Sequence, residues 1–204
     1  LFNIKNWNST ETTLKKGIKK KDFDKHPVLE RFVTQLESAK AKTLHTIKPD
    51  FSWAAMNIDR VINKYFGKKF ILISPFCSPN SPNKKWPYFN ELIKIIKSKH
   101  KDFEIVIAPG PNEIEESKTF DAVTILNKEK SLSVLELAGL IKKSSYVISN
   151  DTGPAHMAAH LGKSGKVLFG SHTTPQKVSI ETKYFKSICV DDLKNLNADN
   201  VYLK

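Results

Sequence analysis

The stretch Tyr146-Val147-Ile148-Ser149-Asn150-Asp151-Thr152-Gly153-Pro154-Ala155-His156 carries the chain from strand to turn to helix. Tyr146 to Ser149 is β-branched and aromatic, which suits a strand buried on both faces. Gly153 and Pro154 then break the extended run, and Ala155 to Leu161 reads as a helix closed by Gly162. A strand that runs straight into a glycine turn and a helix is the unit from which parallel α/β sheets are built.

The same alternation recurs on both sides of that stretch. Phe70 to Ser74, Phe103 to Ala108, Ala122 to Leu126, Lys166 to Phe169 and Ser187 to Val190 are short apolar runs that predict further strands. Between them, Trp86 to His100 places Phe89, Leu92, Ile93 and Ile96 along one helical face, and Ser133 to Lys143 does the same with Val134, Leu137, Ala138 and Ile141. Ser131 or Ser133 is available to cap the second of these helices. Glu113 to Phe120 predicts a short helix, and Asp191 to Lys204 a weak closing helix or tail. The expected fold class is α/β, a Rossmann-like parallel sheet with flanking helices.

Upstream, His26 to Ala41 carries Val28, Phe32, Val33 and Leu36 at helical spacing, whereas residues 42–66 show no clear period. We therefore expect residues 1–66 to be a helical lead-in and linker, and residues 67–204 to be the α/β domain. Leu1 stands where a complete chain would carry Met, and the lysine-rich residues 1–25 lack the apolar centre of a signal peptide, which suggests a segment of a longer chain.

The 204 residues are enough for one good core. No apolar run approaches the roughly 20 residues needed to span a bilayer. Cys77 and Cys189 stand far apart with no C-x-x-C pair, which argues against a zinc site or a disulfide framework and fits a reducing cytoplasm. A net charge of +12 favours an anionic partner: a nucleic acid, a membrane surface or a phosphorylated small molecule.

Three strand-end loops carry the groups that could bind such a partner. At the first, Gly153 lets a ligand approach the backbone, Pro154 wastes no donor, and free N–H groups with the helix dipole favour a phosphate. Thr152 adds a hydroxyl, Asp151 an acceptor for sugar or ribose hydroxyls, and His156 a possible donor one turn on; Asp151 and Thr152 read equally well as helix caps. The second loop brings Lys84 and Lys85, and a diphosphate bound without metal needs such a fixed cation. The third, Gly110-Pro111-Asn112-Glu113, offers Glu113 as an acceptor for two ribose hydroxyls, or as a first-turn acid favoured by the helix dipole.

Other readings are weaker. His156 and His160 have the spacing of a zinc-protease helix, but Met157 stands where the glutamate base belongs. Neither a G-x-G-x-x-G turn nor a G-x-S-x-G elbow is present. The cluster Lys15, Lys16, Lys19, Lys20 and Lys21, near Trp7 and Phe23, admits a nucleic-acid-binding module, although no nucleic-acid fold signature accompanies it. A non-catalytic nucleotide-binding domain also stays open on the residues alone.

The order Lys84-x-Trp86-Pro87, then Gly110-Pro111-Asn112-Glu113, then Asp151-Thr152-Gly153-Pro154-x-His156 resembles the donor domain of the lipopolysaccharide heptosyltransferases, glycosyltransferase family 9. The likeness covers about residues 70–170. It implies the C-terminal half of a two-domain GT-B enzyme. Such a half binds a nucleoside-diphosphate sugar, usually ADP-heptose, with neither metal nor other cofactor, for inverting transfer to a lipopolysaccharide-type glycolipid. By the same resemblance Lys84 faces the diphosphate, Glu113 the ribose, and Leu132 an apolar position near the base. Asp151 faces the sugar hydroxyls, and Thr152, Gly153 and His156 the phosphates. The family's general base is an aspartate in a Gly-Asp-containing loop of the N-terminal half. Nothing in residues 1–66 resembles that loop, so no base is assigned and the chain alone is expected to be inactive. The loop from Cys77 to Asn83 also lacks a threonine pair found in some members. The implied partners are the donor, the glycolipid acceptor and an acceptor-binding N-terminal half, with no nucleic acid. The implied location is the cytoplasm, with the lysine cluster able to touch anionic lipid at the inner face of the inner membrane.

Overall fold

The computed structural model describes residues 14, 16–67 and 69–203. A short helix α1 (Lys20–Phe23) and a longer one, α2 (Val28–Ser38), come first, followed by a 3-10 turn (Ser52–Ala54) and α3 (Asp59–Ile62). The alternating part then runs β1 (Lys69–Ser74), α4 (Phe89–Lys99), β2 (Phe103–Ile107), α5 (Ile114–Ser117), β3 (Val123–Thr124) and α6 (Val134–Lys143). It continues through β4 (Tyr146–Asn150), α7 (Gly153–His160), β5 (Gly165–Phe169), α8 (Pro175–Val178), β6 (Phe185–Cys189) and α9 (Ala198–Leu203). All six strands pair in parallel, in the order β3-β2-β1-β4-β5-β6. This is the Rossmann-like α/β sheet that the alternating pattern predicts.

Two compact units are distinguishable: the described residues up to Pro49 together with Thr174–Ser179, and Asp50–Thr173 together with Ile180 onward. The second unit holds the sheet. Along β1 successive side chains point to opposite faces. Ile73 joins Ile105, Ile107, Ile148, Leu168 and Ile188 on the face covered by α4 and α9, where Trp86, Phe89 and Leu92 are buried. Leu72, Val106, Val147 and Val167 are fully buried on the other face, where α7 lies against β4 and β5 and α6 packs beside it. Burying one such side chain stabilises by roughly 1.5–3 kcal/mol, so a sheet covered on both sides can hold its strand ends rigidly.

Residues 50–66, which show no period in the sequence, take part in this unit. Ala54, Ile58 and Ile62 are buried, the Met56 N–H donates to the Leu135 carbonyl at 3.1 Å, and Phe66 meets Phe70 edge to face. The close approach of Met56 to α6 requires Gly139. A Cβ on that residue would stand 2.0 Å from the Met56 carbonyl oxygen.

In the first unit α2 forms as its spacing predicts, but none of its residues is fully buried, and Phe32 and Leu36 on its apolar stripe are exposed. Phe23 is buried, and Arg31 reaches Asp24 at 3.4 Å. Of the lysine cluster, Lys16, Lys19, Lys20 and Lys21 are exposed, while Lys15 and the neighbouring Trp7 lie outside the described residues. No helix among the described residues is long and apolar enough to cross a membrane.

Candidate functional site

In the sheet order the chain reverses direction of travel between β1 and β4, and ligands of open parallel sheets bind at the carboxyl ends of the strands beside such a reversal. A cleft of about 240 Å³ opens there. Phe76, Pro109, Leu132, Leu137 and Pro154 form its apolar wall, and Ser74, Glu113 and Thr152 its polar rim. Leu132 is held in place by the helix that follows it. Ser133 caps α6 by accepting from the Glu136 N–H at 3.3 Å, and the Glu136 carboxylate accepts in return from the Ser133 N–H at 2.8 Å.

Glu113 sits in the turn after β2, where its Oε2 accepts from the Gly110 N–H at 2.7 Å. Among the described residues Oε1 has no hydrogen-bond partner, so one oxygen of the carboxylate is available at the rim of the cleft. Thr152 is the residue before α7, yet its side chain does not cap the helix; its hydroxyl lies 3.4 Å from the Asn150 carbonyl. Nothing lies within 4 Å of the place a Cβ of Gly153 would occupy. Within the first turn of α7 the Ala155 and His156 N–H groups donate to the Thr152 carbonyl at 3.0 and 3.3 Å and Pro154 has none, so what the turn offers an anion is the Gly153 N–H and the positive end of the helix dipole.

Beside the cleft lies a charged cluster centred on Asp151, which is buried. Lys84 donates to Asp151 Oδ2 at 2.7 Å, His172 Nε2 stands 3.1 Å from the same oxygen, and His156 Nε2 is 3.5 Å from Oδ1. Burial alone would raise the pKa of this carboxyl. His156 at 3.5 Å, the Lys84 ammonium and the hydrogen bond from His172 more than reverse that effect, and hold it well below the usual carboxylate range. Lys85, the neighbour of Lys84, is paired elsewhere, with Glu116. Cys77 lines the cleft, and burial pushes its thiol pKa up, which keeps it protonated.

The structure thus brings Glu113, Leu132 and Thr152 to one cleft, Gly153 to the adjoining helix start, and Lys84, Asp151 and His156 into one cluster at the same edge. Two residues that sequence patterns do not single out complete the arrangement. Asn150 is fully buried and ties three chain segments: its Nδ2 donates to the Pro75 carbonyl at 2.8 Å, and its Oδ1 accepts from the Trp86 N–H at 3.1 Å. Trp86 is anchored in turn by its indole N–H on the Leu196 carbonyl at 2.7 Å and by edge-to-face contact with Phe89. Lys84, two residues before that anchor, is consequently held near the end of β4. The second unanticipated residue is His172, after β5, whose Nδ1 is buried with no hydrogen-bond partner among the described residues. An orphan of this kind costs on the order of 1–3 kcal/mol. Asn150 adjoins the motif that begins at Asp151, but its role depends on contacts 64 and 75 residues away in sequence. His172 belongs to no motif at all.

Among known proteins, the family model for glycosyltransferase family 9 (heptosyltransferase) matches residues 7–196. No curated protein matches the chain. Among solved structures, the Escherichia coli heptosyltransferase WaaC with ADP is similar at a TM-score of 0.64 and 21% identity, over 85% of this chain and 54% of that one. A family 9 glycosyl transferase from Veillonella parvula is similar at a TM-score of 0.64 and 14% identity, over 87% of this chain and 58% of that one. At such identities the likeness shows the fold. The chain spans somewhat more than half the length of these structures. With the family model matched along nearly its whole length, the chain belongs to glycosyltransferase family 9, the heptosyltransferase family.

Proposed function

We propose that this chain is the donor-binding half of an inverting, metal-independent glycosyltransferase that takes a nucleoside-diphosphate sugar, ADP-heptose by preference, for transfer to a lipopolysaccharide-type glycolipid. The observation that carries the reading is the meeting of three strand-end loops at the sheet's switch point. Together they offer an apolar cleft, a free carboxylate oxygen, an uncapped helix start and a lysine. The preference for ADP draws support from the family and from the similar solved heptosyltransferase, which carries that nucleotide.

In this reading Leu132 packs against the base and Glu113 Oε1 accepts from the ribose. Thr152, Gly153 and His156 bind the phosphates, and Asp151 accepts from the sugar hydroxyls. Lys84, which donates to Asp151 Oδ2 at 2.7 Å, turns toward the diphosphate. An acceptor hydroxyl attacks the anomeric carbon from the face opposite the diphosphate. The new C–O bond forms as the anomeric C–O bond breaks, the electron pair leaves with the nucleoside diphosphate, and the hydroxyl proton passes to a base. That base and the acceptor site belong to an N-terminal half. This half stabilises the leaving group: negative charge grows on the diphosphate as the bond breaks, and the Lys84 ammonium and the helix start bind it more strongly then than before. The exposed lysines of the first unit offer contact with anionic lipid at the cytoplasmic membrane face, where a lipid-linked acceptor would be met.

The test is transfer of radiolabelled sugar from ADP-heptose to a lipopolysaccharide core acceptor, by this chain alone and with a family 9 N-terminal half added. The expected result is no transfer by the chain alone and restored transfer with the added half. Holding two reactants in near-attack geometry is worth effective molarities of about 10⁵–10⁸ M, and in this reading the acceptor's site lies in the other half. Robust transfer by the chain alone would overturn the half-enzyme reading and place the base among its own carboxylates.

A further inference from the structure

His172 has an environment that the scheme above does not use. Its side chain is only 5% exposed, and its ring lies nearly parallel to that of Phe169, with centroids 5.7 Å apart. Nε2 faces Asp151 Oδ2 at 3.1 Å while Nδ1 is buried without a partner. An ionised carboxylate has no hydrogen to give, so Nε2 carries the hydrogen and donates it. A side chain needed only to fill this volume would be apolar and leave no orphan nitrogen behind. The single contact that offsets the orphan is the one with Asp151.

Lys84 and His172 bond the same oxygen, Oδ2, the lysine at 2.7 Å. If Lys84 turns to a bound diphosphate, this buried carboxylate loses its nearest cation. Among the described residues two side-chain donors then remain within reach, His156 at 3.5 Å from Oδ1 and His172 at 3.1 Å from Oδ2. His156 stands at the helix start assigned to the phosphates, which leaves His172 as the partner with no other task.

We propose that His172 is a positioning residue that holds the Asp151 carboxylate toward the sugar of the donor while Lys84 turns to the diphosphate. The proposal rests on the donor-site reading given above. It separates two affinities: loss of the His172 donor weakens recognition of the sugar and spares the nucleotide.

The experiment titrates ADP and ADP-heptose into the full chain and into His172→Leu and His172→Gln. Leucine fills the space without a donor, whereas the glutamine amide can stand where Nε2 stands. ADP affinity is expected to stay within about threefold in all three proteins. ADP-heptose affinity should fall about 10- to 100-fold in His172→Leu, as for loss of a hydrogen bond to a charged group, and recover most of that loss in His172→Gln. Should His172→Leu not unfold cooperatively, His172→Asn serves the same arm, because its amide stands near the Nδ1 position and does not reach Oδ2. An unchanged ratio of the two affinities in the donor-free variant, or a glutamine variant no better than it, overturns the proposal while ADP binding stands. A wild-type chain that binds neither ligand overturns the donor-site reading and this inference with it.

Discussion

Asp151 is a buried carboxylate whose charge is balanced by Lys84, with two histidines near its oxygens, and this fixes how its contribution depends on pH. Its pKa in the folded chain lies below the ordinary value of 3.8. A carboxyl shifted in that direction stabilises the fold at every pH above its unfolded value, and the stabilisation is lost as the pH falls below it. The stability of the wild-type chain minus that of Asp151→Asn, from urea unfolding, should be flat above about pH 5 and shrink below about pH 4. A difference that grows on acidification would contradict the ionised cluster. At this scale the sequence is informative where residues sit in ordered motifs: Lys84, Glu113 and the run from Asp151 to His156 all come to one sheet edge. It is silent on Asn150 and His172. Their roles consist of contacts between distant segments, and a lone asparagine or histidine has no period or spacing by which to be noticed.

Among the elements, strands and long helices are legible because burial imposes a period, and the parallel sheet forms where apolar runs predict it. The start of α4 is less so. The stretch from Trp86 reads as helix, yet the helix begins at Phe89, because Trp86 is spent on anchoring the lysine loop to the Leu196 carbonyl. Residues 50–66 are opaque for a related reason. A 3-10 turn and a four-residue helix are too short to show a period; the turn is fixed by its fit against α6, and the helix by the burial of Ile62. That fit yields a prediction at Gly139, in the middle of α6. On propensity alone Gly139→Ala would favour the helix by about 1 kcal/mol. Here the added Cβ meets the Met56 carbonyl oxygen at 2.0 Å, and backbone must move. Gly139→Ala should therefore lower stability by about 1–3 kcal/mol, read as a lower denaturant midpoint at unchanged slope. A stabilised variant would show that the segment through Met56 is not seated on α6.

At the scale of the molecule, the strand order places the switch point between β1 and β4, and every motif residue assigned to the donor lies in a loop or helix start next to it. The donor-site claim is tested most directly by calorimetric titration of ADP, UDP and GDP into this chain, with and without EDTA, and into Lys84→Ala. Saturable binding with ADP preferred and no effect of the chelator is the expected result. Lys84→Ala should remain folded and bind ADP more weakly by about 1.5–3 kcal/mol, the range for hydrogen bonds to charged groups. Absence of nucleotide binding, binding abolished by EDTA, or an equal loss from Lys85→Ala with none from Lys84→Ala would contradict the donor-site claim.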